Sequence, residues 1–432
     1  GRIVKDKHYD SRRSRSPGRK PFAERQAPTI RWSGLSSTVA VEKLVPGGLG
    51  MARHEGQVVF VPGVLPGEEI RIELSEAKGG YRTGRLLELI KPSPDRVKPA
   101  CPLYGRCGGC NLQHARYEAQ VGYKRSMLED CLRRQGGFGA DGILPDISIE
   151  TGEPWSYRNR QQYHILPDGQ GLGFRQRESR TLIAVGDCPV ASPEIRDWLK
   201  HLPVPIAPET PPASLQASEA EKGDEPDGDG RYPVFGANGQ LRAGSGDFRL
   251  TLSGREIGFA VDGFFQSNVA MLEKLVALLT RWMAAAGSVG TVADLYCGCG
   301  VFSAFVPETC QQIVAVDNNP RNCQHARTNL APGRCEVREE DVDAWLQSDD
   351  AGSVEAFILD PPRAGLSRRL LGHLLAVRAP HLFFVSCDPV TFCRDLKDLR
   401  ASGYRIRELV LLDFYPQTSH IETACWLELE QP

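Results

Sequence analysis

The sequence predicts an α/β protein with a parallel sheet in its carboxyl-terminal part and a small β-barrel near its start. Apolar runs of strand length, each followed by a helical pattern, recur after residue 261 and are typical of buried parallel strands. Short apolar runs separated by glycine and proline fill residues 35–92, which is the pattern of a small barrel. At 432 residues the chain has room for two or three domains.

Residues 1–34 form a basic segment that we predict to be disordered. Lysines and arginines outnumber acids there, and apolar residues are too few to build a core. The net charge of the whole chain is only -2, so the basic character is local and suits contact with phosphate backbones. A solvated leader without a role is the alternative.

The chain holds thirteen cysteines and shows no apolar signal segment or membrane span. We therefore expect a protein of the reducing cytoplasm, in which some cysteines bind metal or take part in chemistry. We also expect it to be a monomer. Within residues 93–260, Cys101, Cys107, Cys110 and Cys188 are candidate ligands. Their spacing favours a four-iron cluster, with zinc or ordinary free cysteines as the alternatives. Residues 203–231, rich in Pro, Glu, Asp and Gly, predict a flexible insertion in this domain.

In residues 261–432 an apolar run leads into Tyr296 and a glycine-rich turn, and the next run ends in Asp317. Glycines allow a nucleoside to approach the backbone, and an acid after the second strand accepts ribose hydroxyls. Asp341 follows a third run and is placed to meet the adenine. Asp360 opens an Asp-Pro-Pro motif after a fourth run. That motif is typical of amino-group methylases when an aromatic residue follows, but here Arg363 follows.

Cys387 follows the apolar run 381–385 and precedes a helical pattern. A cysteine at the carboxyl end of such a strand lies at the mouth of an α/β sheet, where ligands bind. Taken alone, this position also fits a small buried cysteine without chemistry.

Several motifs together resemble the RNA uracil-C5 methyltransferase family, over residues 38 to the end. The barrel segment with Phe60-Val61-Pro62-Gly63 resembles the RNA-binding TRAM domain. The other matching motifs are the cysteine cluster, Asp262-Gly263-Phe264-Phe265-Gln266-Ser267-Asn268, Asp294-Leu295-Tyr296-Cys297-Gly298, Asp360-Pro361-Pro362-Arg363, Ser386-Cys387-Asp388-Pro389, and Phe414-Tyr415-Pro416-Gln417-Thr418-Ser419-His420-Ile421-Glu422.

The resemblance implies an OB-like TRAM barrel, a central iron–sulfur domain and a Rossmann-like methyltransferase domain that uses S-adenosyl-L-methionine. It makes Cys101, Cys107, Cys110 and Cys188 the ligands of a [4Fe-4S] cluster. Gln266, Tyr296, Asp317, Asp341 and Asp360 fall on cofactor-binding positions, Cys387 on the nucleophile and Glu422 on the general base. One residue departs from the family pattern: Val301 stands where a polar residue, often Asn, is usual.

The implied reaction forms 5-methyluridine in RNA after covalent addition of Cys387 to carbon 6 of uracil. The barrel favours 23S ribosomal RNA as the substrate, because bacterial relatives specific for tRNA usually lack it. Methylation of a tRNA T-loop uridine is the alternative. Two hypotheses of other classes are amino-group methylation at Asp360 and RNA binding without chemistry.

Overall fold

The computed structural model describes residues 30–430 except 78, 140–141, 168, 170, 178 and 203–230. Most of the predicted basic tail, residues 1–34, and nearly all of the predicted insertion, residues 203–231, lie outside the described residues. No described helix has both the length and the apolar character needed to cross a membrane.

The first five strands close into a barrel in the order β1-β2-β3-β5-β4. They are β1 (Trp32–Val45), β2 (Leu49–His54), β3 (Gln57–Val61), β4 (Glu69–Ser75) and β5 (Tyr81–Lys91). Alternate residues such as Val59, Ile70 and Ile72 point into the barrel and are fully buried. The interior is tight at Gly84, where a Cβ would come within 2.8 Å of the Val61 side chain.

A second group of elements, between the barrel and residue 261, forms a five-stranded sheet, a hairpin and two helices. They are α1 (Tyr117–Arg134), β6 (Ser148–Glu150), β7 (Arg160–Ile165), β8 (Leu172–Arg175), β9 (Leu182–Ala184), α2 (Pro193–Lys200), β10 (Arg231–Ala237), β11 (Gln240–Ala243), β12 (Asp247–Leu252) and β13 (Arg255–Ala260). The five-stranded sheet has the order β11-β10-β7-β8-β9, and β12 pairs with β13.

The predicted iron–sulfur domain is the part of the fold class that is wrong. Its four cysteines line one cavity of about 490 Å³, but the described part of the chain holds no group of three or more His, Cys, Asp or Glu side chains arranged to bind a metal ion. Sequence spacing brings cysteines into one neighbourhood without directing their sulfurs to one point. Instead, Cys188 Sγ accepts a hydrogen bond from Gln161 Nε2 at 3.6 Å. Burial also raises the pKa of Cys110 to about 12, which favours the neutral thiol.

The carboxyl-terminal elements build a sheet of eight strands that β6 completes at one edge, in the order β16-β15-β14-β17-β18-β20-β19-β6. These elements are α3 (Val269–Ala285), β14 (Val289–Leu295), α4 (Val301–Ala304), β15 (Cys310–Asp317), α5 (Pro320–Asn329), β16 (Cys335–Glu339), α6 (Val342–Trp345), a 3-10 helix (Asp349–Ser353), β17 (Ala356–Leu359), α7 (Arg368–Val377), β18 (His381–Ser386), α8 (Pro389–Ala401), β19 (Tyr404–Leu412) and β20 (Glu422–Leu429).

Strands β14 to β18 run parallel, as predicted, whereas β20 is antiparallel to both β18 and β19. The chain leaves β14 toward β15 on one side and returns to β17 on the other. This change of direction opens a crevice at the carboxyl ends of the strands, where α/β sheets bind their ligands.

Both faces of the main sheet are covered, which is why its strands are apolar throughout. Leu382 and Phe384 of β18 belong to the core on one face, and Phe383 and Val385 belong to the core on the other. Successive side chains of a strand point to opposite faces, so a strand buried on both sides shows no polar alternation. Leu44 of the barrel packs into the same core as Leu382, so the barrel is fixed against the main sheet.

Candidate active site

Three strand ends bring the predicted chemical groups to one edge of the main sheet. Asp360 follows β17, Cys387 follows β18, and Glu422 is the first residue of β20. Ser386 is paired with Thr423 across the antiparallel β18–β20 ladder. Continuing that register by one residue sets Cys387 beside Glu422, so the predicted nucleophile and the predicted base share one edge.

The turn that carries Cys387 is fixed by its neighbours. Asp388 caps α8 by accepting hydrogen bonds from the backbone N–H groups of Val390 at 3.0 Å and Thr391 at 2.8 Å, and Pro389 occupies the first helical turn. On the other side, Thr423 Oγ1 donates to the Ser386 carbonyl at 3.2 Å. The cysteine is therefore held half-buried between a capped helix and a paired strand.

Charge interactions show that these groups share one electrostatic environment. Burial, followed by the nearby Asp360 carboxylate, raises the pKa of Glu422 well above its ordinary value, and Arg363 partly opposes the shift. Burial, followed by Asp294, raises the pKa of Asp360 to about 7. Glu422, Asp360 and Arg363 thus face each other across the site.

The thiol of Cys387 is not a low-pKa group in this ligand-free state. Burial, followed by the nearby Glu422 and Asp360 carboxyl groups, raises its pKa to about 11, and Arg363 partly opposes this shift. A thiol with this pKa is almost wholly protonated at neutral pH. The thiolate that the reaction needs must therefore form in one of two ways. Either the thiol loses its proton to water at higher pH, or contact with the substrate promotes that loss.

The predicted cofactor residues lie at other strand ends of the main sheet or in loops that precede its helices. Asp317, the last residue of β15, accepts a hydrogen bond from Gly298 N at 2.9 Å through Oδ2. Gly298 has φ +56, and a Cβ built on it would meet nothing within 4 Å. That open space above a positive-φ glycine is a place where a ligand can approach the backbone. Gly300 is closed instead, since a Cβ there would lie 3.0 Å from Leu330.

Tyr296 and Asp341 lie near each other, whereas Gln266 comes from a separate loop. Tyr296 follows β14 with a positive φ of 63, and its pKa is raised to about 12 by burial and then by Asp341. Asp341 caps α6, because its Oδ1 accepts from Asp343 N at 3.0 Å. Half-buried Gln266 precedes α3. The loop that carries it bonds to the segment before β20, through Asn268 Nδ2 and Phe414 O at 3.0 Å.

Two ring residues beside the site did not emerge from the sequence as candidates. Tyr415 lies within the electrostatic reach of Glu422 and Cys387, and burial raises its pKa to about 12. His420 is neutral at pH 7, because burial and then Arg363 lower its pKa to about 4. Both lie in the motif that precedes Glu422, so their closeness in sequence to the predicted base could have identified them as candidates.

An α/β sheet of this strand order, with a nucleoside crevice beside a cysteine–carboxylate pair, defines a Rossmann-like methyltransferase of the class that uses S-adenosylmethionine. Comparisons with known families agree. The profile of the TRAM domain matches residues 36–87, and that of the methyltransferase small domain matches residues 269–379. The profile of the tRNA (uracil-5-)-methyltransferase family matches residues 346–430.

Curated relatives extend the match along the chain. The 23S rRNA (uracil(1939)-C(5))-methyltransferase RlmD of Shewanella sediminis is 30% identical over 428 residues, which cover 91% of this chain and 96% of that protein. An uncharacterized RNA methyltransferase of Treponema denticola is 31% identical and covers 89% of this chain and 97% of its own length. The chain therefore belongs to the RNA uracil-C5 methyltransferase family, and the predicted resemblance is confirmed.

A solved structure shares the whole fold. The tRNA (uracil-54, C5)-methyltransferase of Pyrococcus abyssi, crystallised with S-adenosyl-L-homocysteine, superposes with a TM-score of 0.65 at 23% identity. The match covers 90% of this chain and 100% of that chain. It supports the arrangement of the barrel, the middle elements and the main sheet described above.

Proposed function

We propose that this protein forms 5-methyluridine in RNA, with Cys387 as the nucleophile and Glu422 as the general base. The observation that carries the proposal is the meeting of Cys387, Glu422 and Asp360 at one edge of the sheet. A thiol that must attack one side of a ring and a carboxyl that must take a proton from it are needed together for this chemistry.

The chain's residues account for each bond that changes. Cys387, after losing its proton to water, bonds through sulfur to carbon 6 of uracil, and the electron pair of the carbon 5–carbon 6 double bond moves toward carbon 5 and oxygen 4. Carbon 5 then takes a methyl group. Glu422, whose raised pKa means that it must first lose its own proton to water, removes the proton from carbon 5; the double bond re-forms, and Cys387 leaves as a thiolate. Arg363, which lowers the pKa of Cys387, favours the thiolate.

S-adenosylmethionine supplies the methyl group when it is bound, and the crevice fits it. The open backbone above Gly298 and the neighbouring Asp317 carboxylate suit the ribose of a nucleoside. We assign Gln266, Tyr296, Asp317, Asp341 and Asp360 to its binding. Apolar Val301 begins α4 beside this crevice, so it offers no side-chain hydrogen bond there.

We propose a uridine of 23S ribosomal RNA as the substrate. Support comes from the barrel, whose residues 36–87 match the TRAM domain. It comes also from the name of the Shewanella relative, because the match to that protein covers 96% of its length. A tRNA uridine is the second candidate, favoured by the name of the family that matches residues 346–430. We further propose a monomer that acts in the cytoplasm, where the RNA substrate is made.

A covalent trap tests the reaction. RNA that carries 5-fluorouracil gives up no proton from carbon 5, so the methylated adduct with Cys387 should persist under denaturing conditions. The parent protein should form this adduct, and Cys387→Ala should form none while still binding S-adenosylmethionine. Glu422→Gln should accumulate the adduct even with ordinary uracil. Normal turnover by Cys387→Ala would instead support amino-group methylation at Asp360 and overturn the proposal.

A further inference from the structure

Residues 413–421, here called the base loop, connect β19 to Glu422 and are held by hydrogen bonds within the loop and by several from distant parts of the chain. Three of their carbonyls accept side-chain hydrogen bonds from distant parts of the chain. The donors are Asn268 to Phe414 O at 3.0 Å, Lys124 to Tyr415 O at 3.0 Å and Tyr157 to Pro416 O at 2.8 Å. The conformation of the base loop is thus set by the elements that precede the main sheet.

Gln417 shows how strongly the base loop depends on these outside bonds. It has a positive φ of 67, a conformation that a residue with a side chain adopts only when its surroundings fix it. Gln120 Oε1 accepts from its N–H at 2.9 Å. Its carbonyl accepts from Asn111 N at 3.2 Å and from Leu112 N at 3.0 Å. Residues between the barrel and residue 261 therefore stabilise the positive-φ conformation of Gln417.

Asn111 also joins the base loop to the barrel. Its Oδ1 accepts from Ser419 N at 2.8 Å, and its Nδ2 donates to Ser419 Oγ and to the Gly47 carbonyl, both at 2.9 Å. Gly47 and Gly48 form the turn between β1 and β2. Gly48 is buried with φ +77, and a Cβ there would lie 2.8 Å from Asn111 Nδ2 and 3.0 Å from Ser419 Cβ.

Apolar packing forms a second link between the barrel and the base. Leu44, near the end of β1, and Ile421, the residue before Glu422, are both buried in one hydrophobic core, together with Leu112. The polar link through Asn111 and this apolar core both include residues at the β1 end of the barrel and residues just before Glu422. The position of Glu422 therefore depends on the position of the barrel, because neither the hydrogen bonds of Asn111 nor the close-packed core allows much relative movement.

We propose that Asn111 is a positioning residue through which the seating of the barrel fixes Glu422 for removal of the carbon 5 proton. The inference rests on the proposed function, because it assigns a duty within that reaction. Asn111 touches neither Cys387 nor Asp360 in any described hydrogen bond. Its loss should slow the release of product from the enzyme while leaving attack by Cys387 and transfer of the methyl group nearly unchanged.

The test separates these two stages with labelled S-adenosylmethionine and a uracil-containing 23S rRNA fragment. We measure formation of the denaturation-resistant methylated adduct in a single turnover and then its decay to free RNA. Asn111→Ala should slow the decay roughly tenfold, as expected when a reacting group loses its fixed orientation. Formation should change less than about twofold. A merely structural loss would lower the amount of active enzyme and leave the decay rate unchanged.

Three further variants make the role of the barrel measurable. Gly48→Ala should reproduce the slow decay, because its Cβ presses on Asn111 and Ser419. Gly56→Ala is the matched control: Gly56 has φ +79, in the same barrel, and a Cβ there would meet nothing within 4 Å. Asn111→Asp keeps the acceptor for Ser419 N but loses the Nδ2 donor to Ser419 Oγ and to Gly47 O. The Ser419 hydroxyl can donate to the new carboxylate instead, whereas the Gly47 carbonyl cannot, so the bond to the barrel is the one that is lost. This variant should therefore behave like Asn111→Ala if the link to the barrel matters.

The outcomes distinguish this inference from the proposed function. A parent-like decay rate in both Asn111→Ala and Gly48→Ala overturns the positioning role while the reaction stands. Formation of the adduct by Cys387→Ala at the rate of the parent protein overturns the reaction itself. If Asn111→Ala does not fold, equal decay rates in Gly48→Ala and Gly56→Ala overturn the inference, and a slow rate confined to Gly48→Ala supports it.

Discussion

At the residue scale, the buried carboxyl group of Asp294 makes the stability of the fold depend on pH. Asp294 is fully buried, with Ser303 as its hydrogen-bond partner at 2.7 Å and no partner for Oδ1. Burial raises its pKa to about 7. In the unfolded chain an aspartate ionises near pH 4. The folded state therefore binds a proton that the unfolded state has lost, and stability falls as pH rises between these two values.

The first prediction follows for Asp294→Asn, which cannot ionise. Below about pH 4 the variant and the parent should show their smallest difference in the free energy of unfolding. Between pH 4 and pH 8 the parent should lose on the order of 2–4 kcal/mol relative to the variant, the scale of a three-unit pKa shift. Urea unfolding at several pH values measures this difference. Parallel pH profiles for the two proteins would contradict the buried, raised pKa.

A second prediction concerns Cys387. Because its pKa is raised to about 11, the fraction of thiolate should increase about tenfold per pH unit between pH 7 and 9. The single-turnover rate of adduct formation with 5-fluorouracil RNA should rise in the same proportion. Arg363→Ala should lower the rate at each pH, since Arg363 lowers the pKa of the thiol. A flat profile would mean that the thiol proton passes to a neighbouring carboxyl group.

At the element scale, α1 is tied to the base loop by a buried ion pair. Lys124 and Asp413 are both fully buried, with Nζ and Oδ1 2.5 Å apart, and Tyr117 Oη donates to the other oxygen of Asp413 at 2.8 Å. Removing one member of such a pair leaves an uncompensated charge in the core. The packing of α1 and the conformation of the base loop therefore stabilise each other.

The third prediction is that Lys124→Ala lowers the free energy of unfolding by about 3–5 kcal/mol. Lys43→Ala is the control, because Lys43 pairs with Asp130 of the same helix at 2.8 Å while both side chains remain 30% exposed. That change should cost less than about 1 kcal/mol. The double variant Lys124→Met with Asp413→Leu should recover much of the loss. Equal costs for the two single lysine variants would contradict the argument.

Sequence patterns predicted the elements that depend on local periodicity, and missed those that depend on distant pairing. The parallel strands and the positions of Asp317, Asp360 and Cys387 at their ends follow from apolar runs and the residues that end them. The antiparallel insertion of β20 and the edge strand β6 do not, since strand order is set by tertiary packing. The cluster prediction failed because spacing alone does not fix where sulfur atoms point.

The residues that form hydrogen bonds to the base loop could not be predicted from the sequence either. Asn111 and Ser419 are 308 residues apart, and Gln120 and Gln417 are 297 apart. Nothing in the local pattern of either segment indicates its partner. The chemical residues themselves were available because the motifs around Cys387 and Glu422 resemble a known family. Their roles remain predictions for the experiments above.

At the scale of the whole molecule, the barrel shares a hydrophobic core with the main sheet through Leu44, and we expect the surface that they form together to suit a large folded RNA. The fourth prediction is that label from S-adenosylmethionine enters unmodified 23S rRNA at least tenfold faster than unmodified bulk tRNA at equal uridine concentration, roughly the discrimination expected from 1.4 kcal/mol. Binding depends on phosphate contacts, so both rates should be compared at one salt concentration. Label that enters tRNA alone would contradict the ribosomal substrate.

The position of β20 has a consequence for the order in which the protein becomes active during its synthesis. Strands β18 and β19 leave the ribosome before β20, yet β20 must enter between them to complete the sheet. Until residues 422–429 emerge, the two earlier strands have no common partner, and Cys387 has no neighbouring Glu422. Cys387 and Glu422 are therefore brought together only after residues 422–429 have emerged, and the proposed removal of the carbon 5 proton cannot occur before then.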